Sequence, residues 1–152
     1  NAVNAELKVL TKKATVTIND DDQALPVISF NPLFYSTNEY NTTVILYVSL
    51  SQSSNNNITV NYYTSNFTAQ AGSDYQSTNG VLTFIPGQVQ KTIPVLIFDD
   101  STAELAEAFN VKLENPINAN LNIFAKTATV TINANDSGGE GFEGQQQGMQ
   151  QY

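Results

Sequence analysis

Apolar and polar residues alternate along most of the chain with the two-residue period of a half-buried β-strand. Residues 42–50 show this most clearly, because their four even-numbered apolar side chains share one face. Further strand-like segments lie at 27–30, 58–63, 81–85, 89–98, 109–114 and 128–132. About seven closely spaced strands, rich in Thr, Val, Ile and Tyr, predict an all-β sandwich of two antiparallel sheets.

Two segments depart from this simple pattern. Pro94 interrupts the apolar run at 89–98, and proline is confined to edge strands and bulges because it cannot donate to a ladder. We therefore predict an edge strand or a bulge there, rather than a central strand. Residues 102–107 are the single candidate for a helix, of one or two turns, with Ser101 and Glu104 spaced as a capping box.

The chain contains an internal repeat. Residues 1–22 match residues 115–136 at a constant offset of 114, with 12 of 22 positions identical and the run ATVTIN unchanged. The repeat predicts that residues 1–22 are the end of a preceding unit and residues 23–136 one whole unit of a tandem array. Residues 137–152 are rich in Gly and Gln, a composition typical of a tail or linker.

Residues 12–19 predict an extra N-terminal strand. In the division given above, the rest of its own repeat is not included, so the strand has no partner. An unpaired strand needs a partner edge. One interpretation is that the strand belongs to a truncated array. The other is that the strand, with Ala14, Val16 and Ile18, adds to the sheet edge of a neighbouring copy or fills a similar place in an incomplete one, so that repeated donation builds a filament.

Composition and charge exclude several classes of function. The 152 residues include 14 acidic side chains, six lysines and no Arg, His or Cys, which gives a net charge of −8. These absences exclude Ser-His-Asp and Cys-His catalysis and the common zinc and haem sites. A nucleic-acid partner is not expected without clustered cations. Direct membrane insertion is not expected either, since no apolar run approaches about 20 residues.

Nine of the 14 acidic residues lie in short clusters at predicted strand ends. If these strands run the same way, the carboxylates meet at one end of the sandwich, where they repel one another unless a cation binds. Ca²⁺ suits such a site better than Mg²⁺, because it takes six to eight oxygens from flexible loops. The alternative is that the acids are simply solvated. The nine acids are Asp20, Asp21, Asp22, Asp74, Asp99, Asp100, Glu104, Glu107 and Asp136.

Four motifs in order resemble the Calx-β domain family. Residues 68–75 read TAQAGSDY, similar to the family's T-A-x-A-G-x-D-Y, and GVLTFIPG at 80–87 is similar to G-x-L-x-F-x-P-G. Residues 97–109 resemble I-x-D-D…E…E-x-F, and residues 128–136 resemble A-x-V-T-I-x-D-D-D. The resemblance covers the whole repeat. It implies a seven-stranded, immunoglobulin-like sandwich that binds Ca²⁺ through loops at one pole.

The resemblance also implies a ligand set, with three departures from the family pattern. The final acidic triplet is reduced to Ala134-Asn135-Asp136, Ser101 replaces a third Asp, and Asn31 stands where binding members have a Glu. One or two weakly bound ions are therefore expected. The implied ligands are Asp74, Asp99, Asp100, Glu104, Glu107, Asp136 and the carbonyl of Thr102.

These features predict a non-enzymatic structural or adhesive module, extracellular or at the cell surface, whose partners are neighbouring repeats or copies of itself. The alternative is a Ca²⁺-sensing regulatory domain of a membrane transporter or receptor. Asp20, Asp21 and Asp22 would place a second cation at the joint between repeats. Four sequons would allow N-linked glycans in a secreted eukaryotic protein, at Asn41, Asn57, Asn66 and Asn135.

Overall fold

The computed structural model describes residue 16 and residues 24–136. Most of the extra N-terminal strand, the triplet at 20–22 and the tail at 137–152 lie outside the described residues, so the predictions made for them stay predictions. Nine strands form in the described part: β1 Val27–Phe30, β2 Phe34–Asn38, β3 Thr43–Leu50, β4 Ile58–Asn66, β5 Asn79–Phe84, β6 Gln90–Leu96, β7 Glu107–Ile117, β8 Asn120–Leu121 and β9 Thr127–Asn133.

The strands form two sheets, which confirms the predicted all-β sandwich. One sheet has the order β6-β3-β1-β8 and the other the order β2-β9-β7-β4-β5. Pairing is antiparallel except for β1 with β8 and β2 with β9. The two strands beyond the predicted seven are β2 and the two-residue β8. β2 arises because the chain leaves β1 in one sheet and joins β9 in the other.

Alternating apolar residues of both sheets form one core, as the period-two pattern predicts. The four apolar residues of β3 that face inward are at most 8% exposed, and the inward-facing residues of β7 and β9 are buried in the same way. Within this core, Tyr75 and Phe109 stack with ring centroids 4.1 Å apart and planes inclined by 14°. Both are fully buried, so this pair joins the loop after β4 to the start of β7.

Of the two positions predicted for Pro94, the structure shows the edge strand, whereas the predicted helix is wrong. β6, which carries Pro94, is an outer strand of the four-stranded sheet. Residues 102–106 are irregular and exposed, and Glu107 begins β7 by pairing with Ile132. A six-residue segment gains few helical hydrogen bonds for the cost of nucleation, and ladder pairing of its last residue competes with it. No helix in the described residues is long and apolar enough to span a membrane.

Strand direction places four strand ends at one pole of the sandwich. β4 and β9 both run antiparallel to β7 and therefore end where β7 begins. β2 runs parallel to β9, and the end of β6 reaches the same pole, where Phe98 donates its N–H to the Asp74 carbonyl at 2.9 Å. We call this end the acidic pole; it comprises residues 39, 66–75, 97–107 and 133–136.

Candidate metal centre

Three carboxylates from two segments meet at the acidic pole. Asp74 follows β4, whereas Glu104 and Glu107 precede or begin β7. One oxygen of each lies within 4.8 Å of the others. The predicted convergence of acids distant in sequence is therefore present for these three residues.

The signature segment after β4 fixes Asp74 by local hydrogen bonds. The Asp74 Oδ2 atom accepts the Gln70 backbone N–H at 2.6 Å. The Asn66 side chain closes the same turn, because its Oδ1 accepts the Ala71 N–H at 3.0 Å and the Tyr75 hydroxyl at 2.6 Å. Gly72 has a φ of 98°, a conformation that other residues rarely adopt. The motif therefore sets the direction of the carboxylate.

The same segment is tied to the start of β7, where Glu107 lies. The Thr68 and Ala69 N–H groups both donate to the Ala108 carbonyl, at 2.9 and 2.8 Å. In return, the Ala108 N–H donates to the Thr68 hydroxyl at 2.7 Å. The threonine and alanine of the motif thus hold Asp74 beside Glu107, which the sequence pattern alone does not show.

Glu39 is a functional candidate that the sequence pattern did not reveal. It follows β2, it is only 6% exposed, and its Oε2 atom has no hydrogen-bond partner. Its own N–H donates to the Asn133 carbonyl at 3.0 Å, which fixes it beside the end of β9. The sequence offered little signal for it, because the five residues of β2, FYSTN, do not alternate between apolar and polar and were not recognised as a strand.

The structure places Asn31, the position where binding members of the family have a Glu, away from the acidic pole. Asn31 lies between β1 and β2, and its N–H donates to the carbonyl of Tyr47, in the middle of β3. It is therefore distant from the acidic pole along the strand direction. The predicted loss of an acidic ligand at Asn31 stays a prediction, and Glu39, which follows β2, brings a carboxylate to the pole.

The other predicted ligands are not among the three carboxylates whose oxygens lie within 4.8 Å of one another. They are Asp99, Asp100, Asp136 and the carbonyl of Thr102. The Asn135 amide donates to Asp99 Oδ1 at 3.1 Å, and Asp136 Oδ2 is buried without a partner. Asp100 accepts the Thr102 N–H at 2.6 Å. Proximity to the pole is thus established, while coordination by these four residues, including the Thr102 carbonyl, stays a prediction.

Charge repulsion shows in the pKa values. Burial, the neighbouring Asp74 carboxyl and the charges of Glu104 and Glu39 raise the pKa of Glu107. Burial raises the pKa of Glu39 as well, with the charges of Asp100 and Glu104 adding to the effect. Burial also acts on Asp74, but hydrogen bonds from Gln70, Ser73 and Glu107 outweigh it and lower the pKa. The charged groups that act on Glu39 and Glu107 are all acidic.

These directions predict how the cation-free domain responds to pH. The folded-state pKa values of Glu39 and Glu107 lie above the ordinary value of 4.5, so their favourable contribution is full below that value and is lost as pH rises through the folded pKa. We expect chelator-treated protein to melt at a higher temperature near about pH 5 than near about pH 7.

Asp74 has the opposite effect on stability, and this effect appears at lower pH. Its contribution is present above its ordinary pKa value of 3.8 and is lost as pH falls through its lower folded value. Melting curves in metal-free buffers across this range measure both effects. A melting temperature that falls steadily from neutral pH to about 5 would contradict the prediction for Glu39 and Glu107.

The chemistry of the donors fits a hard divalent cation. The cluster offers only oxygen ligands, and the buried Glu39 Oε2 and Asp136 Oδ2 atoms lack the partners that buried polar groups normally have. A Ca²⁺ ion takes several such oxygens from loops and offsets their repulsion. The solvated alternative does not account for Glu39, because a carboxylate that is almost fully buried cannot be satisfied by bulk water.

The four sequon asparagines are all exposed, but their side chains are not equally free. The amides of Asn41, Asn66 and Asn135 donate to Thr37, Gln70 and Asp99. The fourth sequon, at Asn57, precedes β4 at the other pole. Glycosylation at these positions stays a prediction.

Sequence comparison identifies similar proteins. The family model described as "Calx-beta domain" matches residues 20–137. The adhesion G-protein coupled receptor V1 of Danio rerio is 33% identical over 126 residues, which are 82% of this chain and 2% of that receptor. Sodium/calcium exchanger 2 of Rattus norvegicus is 37% identical over 98 residues, or 64% of this chain and 11% of the exchanger. The chain thus spans a small part of these relatives.

Solved structures show the same fold. The apo-form Calx CBD1 domain superposes with a TM-score of 0.71 at 28% identity, covering 74% of this chain and 99% of that one. The calcium binding domain CBD12 of CALX1.1 gives a TM-score of 0.70 at 29% identity, over 74% of this chain and 47% of that one.

Proposed function

Because this chain belongs to the Calx-beta domain family, we propose that its acidic pole binds Ca²⁺. The buried Glu39 carboxylate carries the proposal, since its Oε2 atom has no hydrogen-bond partner and the charges of Asp100 and Glu104 act on it. Asp74, Glu104 and Glu107 would provide the nearest oxygens. The similarity to CBD12 of CALX1.1, a calcium binding domain that is 29% identical to this chain, supports the same ion here.

The proposed ion acts on the fold rather than on a substrate. Its charge offsets the repulsion among carboxylates supplied by the ends of β2, β4 and β9 and by the start of β7. Hydrogen bonds and the Tyr75–Phe109 stack already join these segments, and the ion would act as an additional tie between segments distant in sequence. The proposal is therefore a non-enzymatic module.

Addition of Ca²⁺ tests the proposal. A ligand that binds only the folded state stabilises it by about 2.7 kcal/mol at a concentration 100 times its dissociation constant. We expect Ca²⁺ to raise the melting temperature of the chelator-treated chain, with a smaller rise at equal Mg²⁺, since Mg²⁺ requires a stricter octahedron. Equal melting curves with Ca²⁺ and with EGTA would refute the Ca²⁺ site.

For the biological role of the domain, we propose an extracellular structural or adhesive module within a tandem array. Its partners would be neighbouring repeats or copies of itself. The duplicated segment at 1–22 and 115–136 supports the array. The match to an adhesion receptor of Danio rerio supports the location. A low content of charged residues, 13%, gives a polar surface suited to contact with other proteins rather than with nucleic acid.

The match to a sodium/calcium exchanger supports a second candidate, a Ca²⁺-sensing regulatory domain. Calorimetric titration separates the two. Sensors bind with dissociation constants of about 10⁻⁷–10⁻⁵ M, whereas extracellular modules bind at about 10⁻⁴–10⁻³ M. We expect a value in the weaker range, because Ala134 and Asn135 replace two of the acids found at the end of the preceding repeat.

A further inference from the structure

The outer face of the five-stranded sheet carries a depression of about 320 Å³. It lies where β5, β4 and β7 run side by side. Its side chains form two rows across these strands, because the register sets Asn79 beside Tyr63 and Val81 beside Asn61. Glu114 of β7 extends the second row, since it pairs with Asn61. The depression is thus built on paired strands rather than on a loop.

Backbone forms the floor of this depression. Tyr62 and Gly80 lie opposite each other in the ladder, and the Tyr62 side chain packs against the core on the inner face. A Cβ at Gly80 would lie 2.9 Å from the Tyr62 hydroxyl oxygen, so a larger residue would displace the ring. Because neither position places a side chain on the outer face, a gap remains between the two rows. The rows are about 7 Å apart, since each residue rises about 3.4 Å along a strand.

Tyr63 provides the aromatic surface of the depression. Its side chain is half-buried, and Lys112, its partner on β7, places Nζ 6.0 Å from the ring centroid. This distance is at the limit of a cation–π contact. The face of an aromatic ring is negative, so it attracts the weakly positive C–H groups of a sugar ring. Lys112 adds a hydrogen-bond donor to the same row.

The polar side chains of the depression are not engaged within the domain. Asn110, which also lies on β7, accepts the Thr129 hydroxyl at 2.8 Å. By contrast, the side chains of Asn61, Asn79 and Glu114, which line the depression, have no hydrogen-bond partner in the part of the chain that the structure describes. Two amides, which donate and accept, and one carboxylate, which accepts, match the hydroxyl groups of a ligand.

The charges around the depression favour a neutral ligand. Lys112 and Glu114 offset each other, and the chain as a whole carries a net charge of −8, which repels phosphate and sulfate groups. A single carboxylate also does not supply the several oxygens that a Ca²⁺ ion takes. Val81, which is 60% exposed, is the aliphatic member of the lining, so an entirely apolar ligand would leave the amides without partners.

We propose that this face binds a neutral saccharide of one or two sugar units, which stacks on Tyr63 and accepts or donates hydrogen bonds at Asn61, Asn79 and Glu114. A volume of about 320 Å³ is at the lower end of the range for ligand sites, which suits a ligand of this size. The site gives an adhesive module a ligand class, the neutral glycans of a neighbouring surface.

This inference does not depend on the proposed Ca²⁺ site. Glu114 lies seven residues after Glu107 on β7, which is about 24 Å at about 3.4 Å per residue. Saccharide binding should therefore be the same with and without the ion. A melting temperature that is indifferent to Ca²⁺ would refute the Ca²⁺ site and leave the saccharide site standing.

A printed array of oligosaccharides tests the ligand class. It carries neutral oligosaccharides of hexoses and N-acetylhexosamines together with their sialylated and sulfated forms. We expect the chain to bind at least one neutral oligosaccharide, equally in Ca²⁺ and in EGTA. Binding to no neutral oligosaccharide would overturn the inference. A preference for the sialylated or sulfated forms would also overturn it, as would binding that is lost in EGTA, because that result assigns the ligand to the acidic pole.

Aromatic variants test the place of the bound sugar, by calorimetric titration with the neutral oligosaccharide that binds best on the array. Tyr63→Ala should lower the affinity about tenfold, whereas Tyr63→Phe keeps the ring and should retain most of it. Tyr47→Ala is the matched control, because it makes the same change on the outer face of the other sheet, where Tyr47 is 39% exposed. It should leave the affinity unchanged.

Two further variants separate loss of contact from loss of fold. Val81 is exposed on the edge strand β5, so Val81→Arg fills the depression without entering the core. It should abolish binding and keep the melting temperature of the unchanged chain. Asn61→Ala removes one amide and should lower the affinity about three- to tenfold. If Val81→Arg binds the oligosaccharide as tightly as the unchanged chain, the sugar lies elsewhere and the inference is overturned.

Discussion

Glu39→Gln is expected to weaken Ca²⁺ binding while stabilising the cation-free domain. The substitution removes a buried anionic ligand, and we expect affinity to fall about ten- to hundredfold. Without Ca²⁺, the same change removes a carboxylate whose Oε2 has no partner and which is repelled by the charges of Asp100 and Glu104. Relief of this buried charge should raise the free energy of unfolding by about 1–3 kcal/mol.

Calorimetric titration with Ca²⁺ and urea unfolding in EGTA measure the two effects separately. Glu114→Gln is the matched control, because it makes the same chemical change at an exposed position on β7. It should alter both quantities little, as surface substitutions usually do. A Glu39→Gln variant with undiminished affinity would remove Glu39 from the site and with it the observation that carries the proposal.

Phe109→Ala is expected to have the largest effect on stability. The ring is fully buried and stacks on Tyr75 at 4.1 Å. Deletion of a buried aromatic ring costs about 3–5 kcal/mol, because the apolar contacts are lost and the neighbours do not fill the space. Since Tyr75 follows Asp74 and Phe109 follows Glu107 by two residues, Ca²⁺ affinity should fall as well.

Urea unfolding measures this loss, and Phe124→Ala serves as its control. Phe124 is 86% exposed, so the same change of side chain removes little buried surface. The control should shift the free energy of unfolding by no more than about 0.5 kcal/mol. If Phe109→Ala were as mild as Phe124→Ala, the stack would not hold the acidic pole together.

Much of the fold could be predicted because a strand leaves a local pattern in the sequence. The alternation in β3, β7 and β9 indicated which side chains are buried, and Pro94 identified the edge strand. The pattern failed where elements are short. β2 and β8 carry too few residues to show a period, and the six residues at 102–107 offered a helix signal that ladder pairing overrode.

The residues of the candidate site could likewise be predicted only in part. The signature segment predicted Asp74, because its glycine and its aspartate have roles within one turn. Glu39 could not be recognised, since its importance depends on burial beside the end of β9, a strand about 90 positions away. Position along the chain does not reveal which carboxylates lose their water.

By itself, the sequence determined the class of fold, the family, the repeat and the oxygen-only chemistry available at the strand ends. Those properties depend on residue type and on short-range spacing. Only the tertiary structure decided which acids meet, because the antiparallel pairing of β4 and β9 with β7 brings their ends to one pole. The repulsion that a cation would relieve exists only after that pairing has placed the carboxylates together.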